Sequence, residues 1–144
     1  MELTNMCVVE DQEGNAVAIN KVTGNYRGIT FPGGHVEQKE FFCDSVIREI
    51  YEETGLTIRN PRLCGVYHWY RGEVHNILFV YHATEYTGTL KSSREGEVYW
   101  APIKELKKEN LAVGSDKVIE LIEQEGMREC VMRRSGDTYV GELR

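Results

Sequence analysis

The sequence predicts an α/β domain built on a mixed sheet, and three observations carry that expectation. Short runs rich in β-branched and aromatic residues recur along most of the chain. Residues 41–54 contain no glycine or proline and carry the apolar spacing of a helix. Only two later segments, 103–108 and 115–125, share that spacing, so strands outnumber helices. At 144 residues the chain can bury one ordinary core, and a single domain over residues 1–144 is expected.

Residues 3–9 and 16–22 read as the strands of a hairpin, joined by the turn-forming Asp11-Gln12-Glu13-Gly14-Asn15. Thr23-Gly24-Asn25 and Arg27-Gly28 then loosen the chain before Ile29-Thr30-Phe31, and Pro32-Gly33-Gly34 is expected to end that strand. The helix over 41–54 should stop at Gly55, which can take the left-handed cap without strain. Residues 57–70 and 74–86, separated by Arg71-Gly72-Glu73, predict a second and longer hairpin. A short strand follows at 97–101, then the two later helices, the second closing at Gly126. Residues 129–143, turning at Ser135-Gly136-Asp137, read as a terminal hairpin whose use the sequence leaves open. No repeat, linker or low-complexity stretch interrupts this order.

A composition of 41% hydrophobic and 28% charged residues is that of a soluble globular protein, and no run approaches the roughly 20 apolar residues of a membrane helix. The start, Met1-Glu2-Leu3-Thr4-Asn5, lacks the basic and then apolar layout of a signal peptide, so a cytoplasmic location is expected. The net charge of −6 argues against a surface that grips nucleic acid through many phosphates. No stable nucleic-acid or membrane partner is expected, while a homodimer is compatible with the sequence. One phosphorylated small molecule remains a candidate partner if a divalent cation supplies positive charge. Cys7, Cys43, Cys64 and Cys130 form no CxxC pair and read as reduced thiols without chemistry.

The chemistry concentrates in residues 34–56. At roughly 100° per residue, Glu49, Glu52 and Glu53 fall on one side of the expected helix, with Cys43, Val46, Ile47, Ile50 and Thr54 on another. Stacked like charges cost a helix a few tenths of a kcal/mol, on the order of 0.3, so three carboxylates gain nothing without a cation. Arg48 can reach Glu52 one turn on, and hard divalent ions such as Mg²⁺ or Mn²⁺ prefer oxygen ligands of this type. A solvated acidic helix face would explain the three acids alone equally well.

The rest of the segment resembles the Nudix box, G-x5-E-x7-R-E-U-x-E-E-x-G-U, where U is a bulky aliphatic residue. Gly34, Glu40, Arg48, Glu49, Ile50, Glu52, Glu53, Gly55 and Leu56 match all nine specified positions over 23 residues. The flanking order of elements is also similar to the Nudix fold, a mixed sheet in an α/β/α sandwich. The resemblance implies a Mg²⁺- or Mn²⁺-dependent hydrolase that cleaves a phosphoanhydride in a nucleoside diphosphate compound. It also implies metal ligation by Glu52, Glu53, Glu49 and the Gly34 carbonyl, with Arg48 bracing the carboxylates and Glu40 supporting the loop. Many members place a further acid before a Trp, and Glu95-Gly96-Glu97-Val98-Tyr99-Trp100 offers Glu97, or else Glu95, as general base.

Phe31-Pro32-Gly33-Gly34 ahead of the box looks most like the MutT group, which converts nucleoside triphosphates, including 8-oxo-dGTP, to monophosphate and pyrophosphate. No stretch like SQPWPFPxS follows, which weakens an NADH pyrophosphatase reading, and the placement of Pro61 does not match that of ADP-ribose pyrophosphatases. Hydrolases of nucleoside diphosphate sugars, dinucleoside polyphosphates or RNA 5′ ends share the chemistry, and a non-catalytic nucleotide-binding regulatory module shares the fold. For the nucleotide, Thr30, Gly33, Tyr67, Trp69 and Trp100 are the expected contacts, with Asn5, Tyr70 and Tyr99 also near the cleft, although core packing explains any single aromatic. His35 beside the glycines is a candidate phosphate contact, although a loop histidine without a role explains it equally well, whereas His68, His75 and His82 lack metal-ligand spacing and are expected to be structural or exposed.

Overall fold

The computed structural model describes residues 1–23 and 27–144, so the expected loosening at Gly24 and Asn25 lies outside the described residues. Its strands form three sheets. The largest is six-stranded and contains β1 (Glu2–Val9), β4 (Gly33–His35), β6 (Arg62–Arg71), β7 (Val74–Ala83), β10 (Glu129–Ser135) and β11 (Thr138–Leu143), in the order β11-β10-β6-β7-β1-β4. The second joins β3 (Gly28–Thr30), β2 (Asn15–Lys21) and β9 (Gly96–Pro102), and the third pairs β5 (Thr57–Arg59) with β8 (Glu85–Thr87). The helices are α1 (Phe42–Thr54), α2 (Ile103–Leu106) and α3 (Ser115–Glu123).

The first expected hairpin is corrected. A bridge between Glu10 and Ala16 and the bond from the Asp11 amide to the Asn15 carbonyl join the two segments at the turn; β1 runs parallel to β7 while β2 pairs with β3 and β9. Asp11 Oδ1 accepts the Glu13 and Asn15 amides at 2.9 Å and closes the turn, and beyond it the strands part into different sheets. Both strands are buried on two faces: Met6 and Val8 enter one core with Ala16 and Ala18, while Cys7 and Val9 enter the other with Val17. A hairpin with one wet face would not bury them in this way.

Three further corrections are local. The strand before Pro32 does end, at Thr30, but Gly33 and Gly34 are not turn residues: they form β4, antiparallel to β1 with Asn5 opposite Gly34. Residues 57–70 break at Asn60, which has φ 51°, and at Pro61; the separate β5 then pairs with β8, the far end of the other long segment. The expected helix at 103–108 stops at Leu106, and α3 ends at Glu123 because Gln124 is already extended.

Most else follows expectation. The long hairpin β6–β7 closes around Gly72 and the terminal hairpin β10–β11 around Gly136, both at positive φ. Gly55 takes φ 83° and its N–H bonds the Tyr51 carbonyl, ending α1. Val46 and Ile50 seat α1 on one core, while Val118, Ile119 and Leu121 seat α3 on the other, so helices lie on both sides of the sheets. The mixed sheet and flanking helices match the predicted sandwich.

The four cysteines are free, with Cys7, Cys64 and Cys130 buried; Cys43, expected on the apolar face of the helix, is exposed. His68 bonds His75 at 2.8 Å and Glu129 at 2.5 Å, tying β10 to β6 and β7, and His82 bonds Glu10 at 2.9 Å. Among the described residues, no helix is long and apolar enough to cross a membrane.

Candidate active site

The seating of α1 decides which of its acids meets water. Val46 and Ile50 are fully buried, each contributing about 1.5–3 kcal/mol by leaving solvent. With that face turned inward, the three acids do not share one environment. Glu53 is only 6% exposed, Glu52 has 55% of its side chain in solvent, and Glu49 lies between them with 15%.

On the open side stands Arg48. Its Nε and Nη2 donate to the two Glu40 oxygens at 2.7 and 2.9 Å, a bidentate fork across the loop before the helix. Its Nη1 donates to Glu49 at 2.9 Å and Glu52 at 3.1 Å, and Nη2 also reaches the His35 carbonyl at 3.1 Å. Glu40 further accepts the Glu37 amide at 3.0 Å. The Arg48 bond is the main reason that the Glu40 carboxyl is held down to about 2, and Glu40 in turn holds the guanidinium firmly charged.

The buried side is built differently. Glu53 Oε1 accepts the Gly33 amide at 2.9 Å, while Oε2 is buried with no hydrogen-bond partner. Burial, reinforced by the charges of Glu95 and Glu49, pushes the Glu53 carboxyl up to about 7 against the opposing pull of the Gly33 amide and Lys21. Burial also raises Glu49, and Arg48 opposes it. The glycines of β4 make room: a Cβ on Gly33 would overlap the Asn5 carbonyl, and one on Gly34 would overlap the Glu49 carboxylate. Asn5 is buried, its Nδ2 donating to Ser45 Oγ at 2.9 Å and its Oδ1 accepting the Gly34 amide at 3.3 Å.

Among the described residues, no three carboxylate, imidazole or thiolate groups already stand at metal-ligand spacing, and Arg48 bonds both Glu49 and Glu52. The donor set nevertheless fits a hard divalent cation. A buried carboxylate oxygen without a partner costs free energy that a cation would relieve, and the charge of Glu49, one turn earlier on the helix, acts on the same carboxylate.

The remaining predicted residues scatter. Thr30 is buried, with its hydroxyl 2.7 Å from that of Ser115. Tyr67 and Trp69 meet edge to face at 5.5 Å against the core under α3, and Trp100 leans on Tyr86 in the other core. Tyr70 is exposed and stacks on His75, Tyr99 packs beside the first core, and His35 is exposed. Glu97 lies opposite Asn20 on β9, and its charge acts on Tyr99. Glu95 instead pairs with Lys21 at 3.4 Å, and both charges act on Glu53. Sequence reasoning missed Lys21 and Ser45: neither falls in a defined motif position, Lys21 arrives from the separate strand β2, and Ser45, although on α1, shows its part only through its bond to Asn5 on β1.

The family model for the NUDIX domain matches residues 3–122. Over 97 residues the chain is 34% identical to the uncharacterized Nudix hydrolase YvcI of Bacillus subtilis (strain 168), covering 63% of this chain and 61% of that relative. It superposes on a mutator MutT protein from Bacillus halodurans with a TM-score of 0.84 and 25% identity, covering 99% of this chain and 97% of that one. The NUDIX domain of Shewanella oneidensis NrtR, solved as a complex with ADP ribose, shares the fold at a TM-score of 0.72 and 16% identity, covering 83% and 84% of the two chains.

Proposed function

We propose, proceeding from the fact that this chain belongs to the NUDIX domain family, that it is a divalent-metal-dependent hydrolase of a phosphoanhydride bond in nucleoside diphosphate compounds. The favoured substrate class is nucleoside triphosphate, cut to monophosphate and pyrophosphate as in the MutT group, with 8-oxo-dGTP among the candidates. The reading takes residues 1–144 as one domain acting in the cytoplasm. One observation carries it: a buried glutamate oxygen with no partner, Glu53 Oε2, lies in the one segment where every Nudix position is matched.

In this reading Glu49, Glu52, Glu53 and the Gly34 carbonyl hold Mg²⁺ or Mn²⁺, and Arg48 with Glu40 keeps the loop and helix in register. The cation, when bound, neutralises the phosphate chain and lowers the pKa of a coordinated water. For the general base, Glu97, opposite Asn20 on β9, stands ahead of Glu95, which is paired with Lys21. Lys21, drawn to Glu95 in the free protein, supplies positive charge on the same side. Thr30 and Tyr67 then support the walls of the cleft from the core, and Trp69 and Trp100 are the half-buried aromatics left for a base.

Incubation with a panel of nucleotides plus Mg²⁺ or Mn²⁺, with products identified by mass, tests this. Monophosphate and pyrophosphate from a triphosphate are expected. Exclusive cleavage of a nucleoside diphosphate sugar, dinucleoside polyphosphate or capped RNA end would move the substrate class. No cleavage of any member by folded protein would overturn the enzymatic reading.

A further inference from the structure

We propose that Asn5 is a positioning residue for the acid site, fixing through Ser45 and Gly34 where the unpartnered Glu53 oxygen points. The proposal rests on the metal-site reading above and assigns Asn5 no contact with substrate, although the sequence suggested one.

Ser45, Glu49 and Glu53 follow at intervals of four residues and so lie along one side of α1. The side chain of Ser45 is tied to Asn5 on β1, and eight residues on, roughly 12 Å along the axis, Glu53 is tied to the Gly33 amide on β4. Between the two ties Gly34 lies flush against Glu49, and its own amide donates to Asn5. Asn5 therefore connects all three elements, β1 through its backbone, β4 through Gly34 and α1 through Ser45.

Apolar packing by Val46 and Ile50 holds α1 down but is non-directional and leaves its roll weakly defined. Two polar ties at separate points remove that freedom. If the first is lost, α1 can turn about the second, and Glu49 and Glu53 lose their fixed relation to Gly34. Asn5 and Ser45 are 3% and 0% exposed, so the tie is shielded from competing water.

The test is Mn²⁺ binding to the full chain, read from the electron paramagnetic resonance signal of free Mn²⁺, with folding checked by circular dichroism. Asn5→Leu, similar in size but without polar atoms, should weaken Mn²⁺ binding by about ten-fold or more while the chain stays folded. Asn5→Asp keeps the acceptor for Gly34 but loses the donor to Ser45, and should recover only part of the affinity. Ser45→Ala should weaken binding several-fold, about three-fold or more, and carries the test if Asn5→Leu does not fold.

Wild-type affinity in folded Asn5→Leu or in Ser45→Ala, with binding abolished in Glu53→Gln, would overturn the role of Asn5 and leave the metal site standing. Undiminished binding in Glu53→Gln would instead remove the metal-site reading and this proposal with it.

Discussion

Glu40 and Glu53 belong to the same loop–helix segment, yet one carboxylate is saturated and the other is half unpartnered. Glu40 receives two bonds from Arg48 and one from the Glu37 amide. Glu53 receives one bond, from Gly33, and keeps a buried oxygen in reserve. The difference separates parts that hold geometry from parts with unmet electrostatic demand. A carboxylate with both oxygens bonded to one guanidinium, as in Glu40, has little to gain from a metal ion. Glu49 and Glu52 each give Arg48 one oxygen and keep the other, and Glu53, desolvated beside other acids, has most to gain.

Gly34→Ala strikes the pocket without touching any charge, so it breaks the comparison at the steric level. Its Cβ would overlap the Glu49 carboxylate, and a displacement of about 1 Å can cost on the order of a hundred-fold in rate. Steady-state kinetics on folded protein should show that loss mainly in kcat. Arg48→Lys acts on the other side: charge is kept and the fork to Glu40 is lost. A fall of about ten-fold in activity or metal affinity is expected, and an unchanged value would demote the brace to a surface contact.

Acid titration of stability isolates Glu40. Its carboxyl is held to about 2 against an ordinary 4.5, so it contributes stability that is fully present above 4.5 and is lost as pH falls through 2. Across that window the melting temperature should fall more steeply with decreasing pH for wild type than for Glu40→Gln, and identical slopes would show that the fork adds no net stability. The smallest effect belongs to the terminal hairpin, which lies beyond the matched residues 3–122. Glu129→Gln weakens the tie to His68 and should cost about 1 kcal/mol in denaturant unfolding, with catalysis unchanged.

The contrast between Glu40 and Glu53 was only partly legible in the sequence. Helical spacing gathered Glu49, Glu52 and Glu53, and motif spacing named Arg48 and Glu40, because these relations are local and periodic. Which acid would be buried depended on how α1 seats: Val46 and Ile50 turn one face toward a core assembled from distant strands, and the polar ties at Ser45 and Glu53 reach strands β1 and β4 outside the helix. Similarly, residues 3–9 and 16–22 were recognisable as strands from composition, but their separation into two sheets rests on pairing with β7 and β9, far along the chain. Lys21 comes to the site from β2 and Glu95 from the turn ahead of β9, so their approach to Glu53 leaves no mark in local pattern.

Turnover of folded Glu53→Gln, measured with saturating Mg²⁺ and again after chelation, tests the claim that this buried carboxylate anchors the metal site. A fall of roughly a hundred-fold or more is predicted, with the melting temperature held or raised because an unpartnered buried acid has been removed; near wild-type turnover, or full wild-type activity after exhaustive removal of divalent ions, would contradict it.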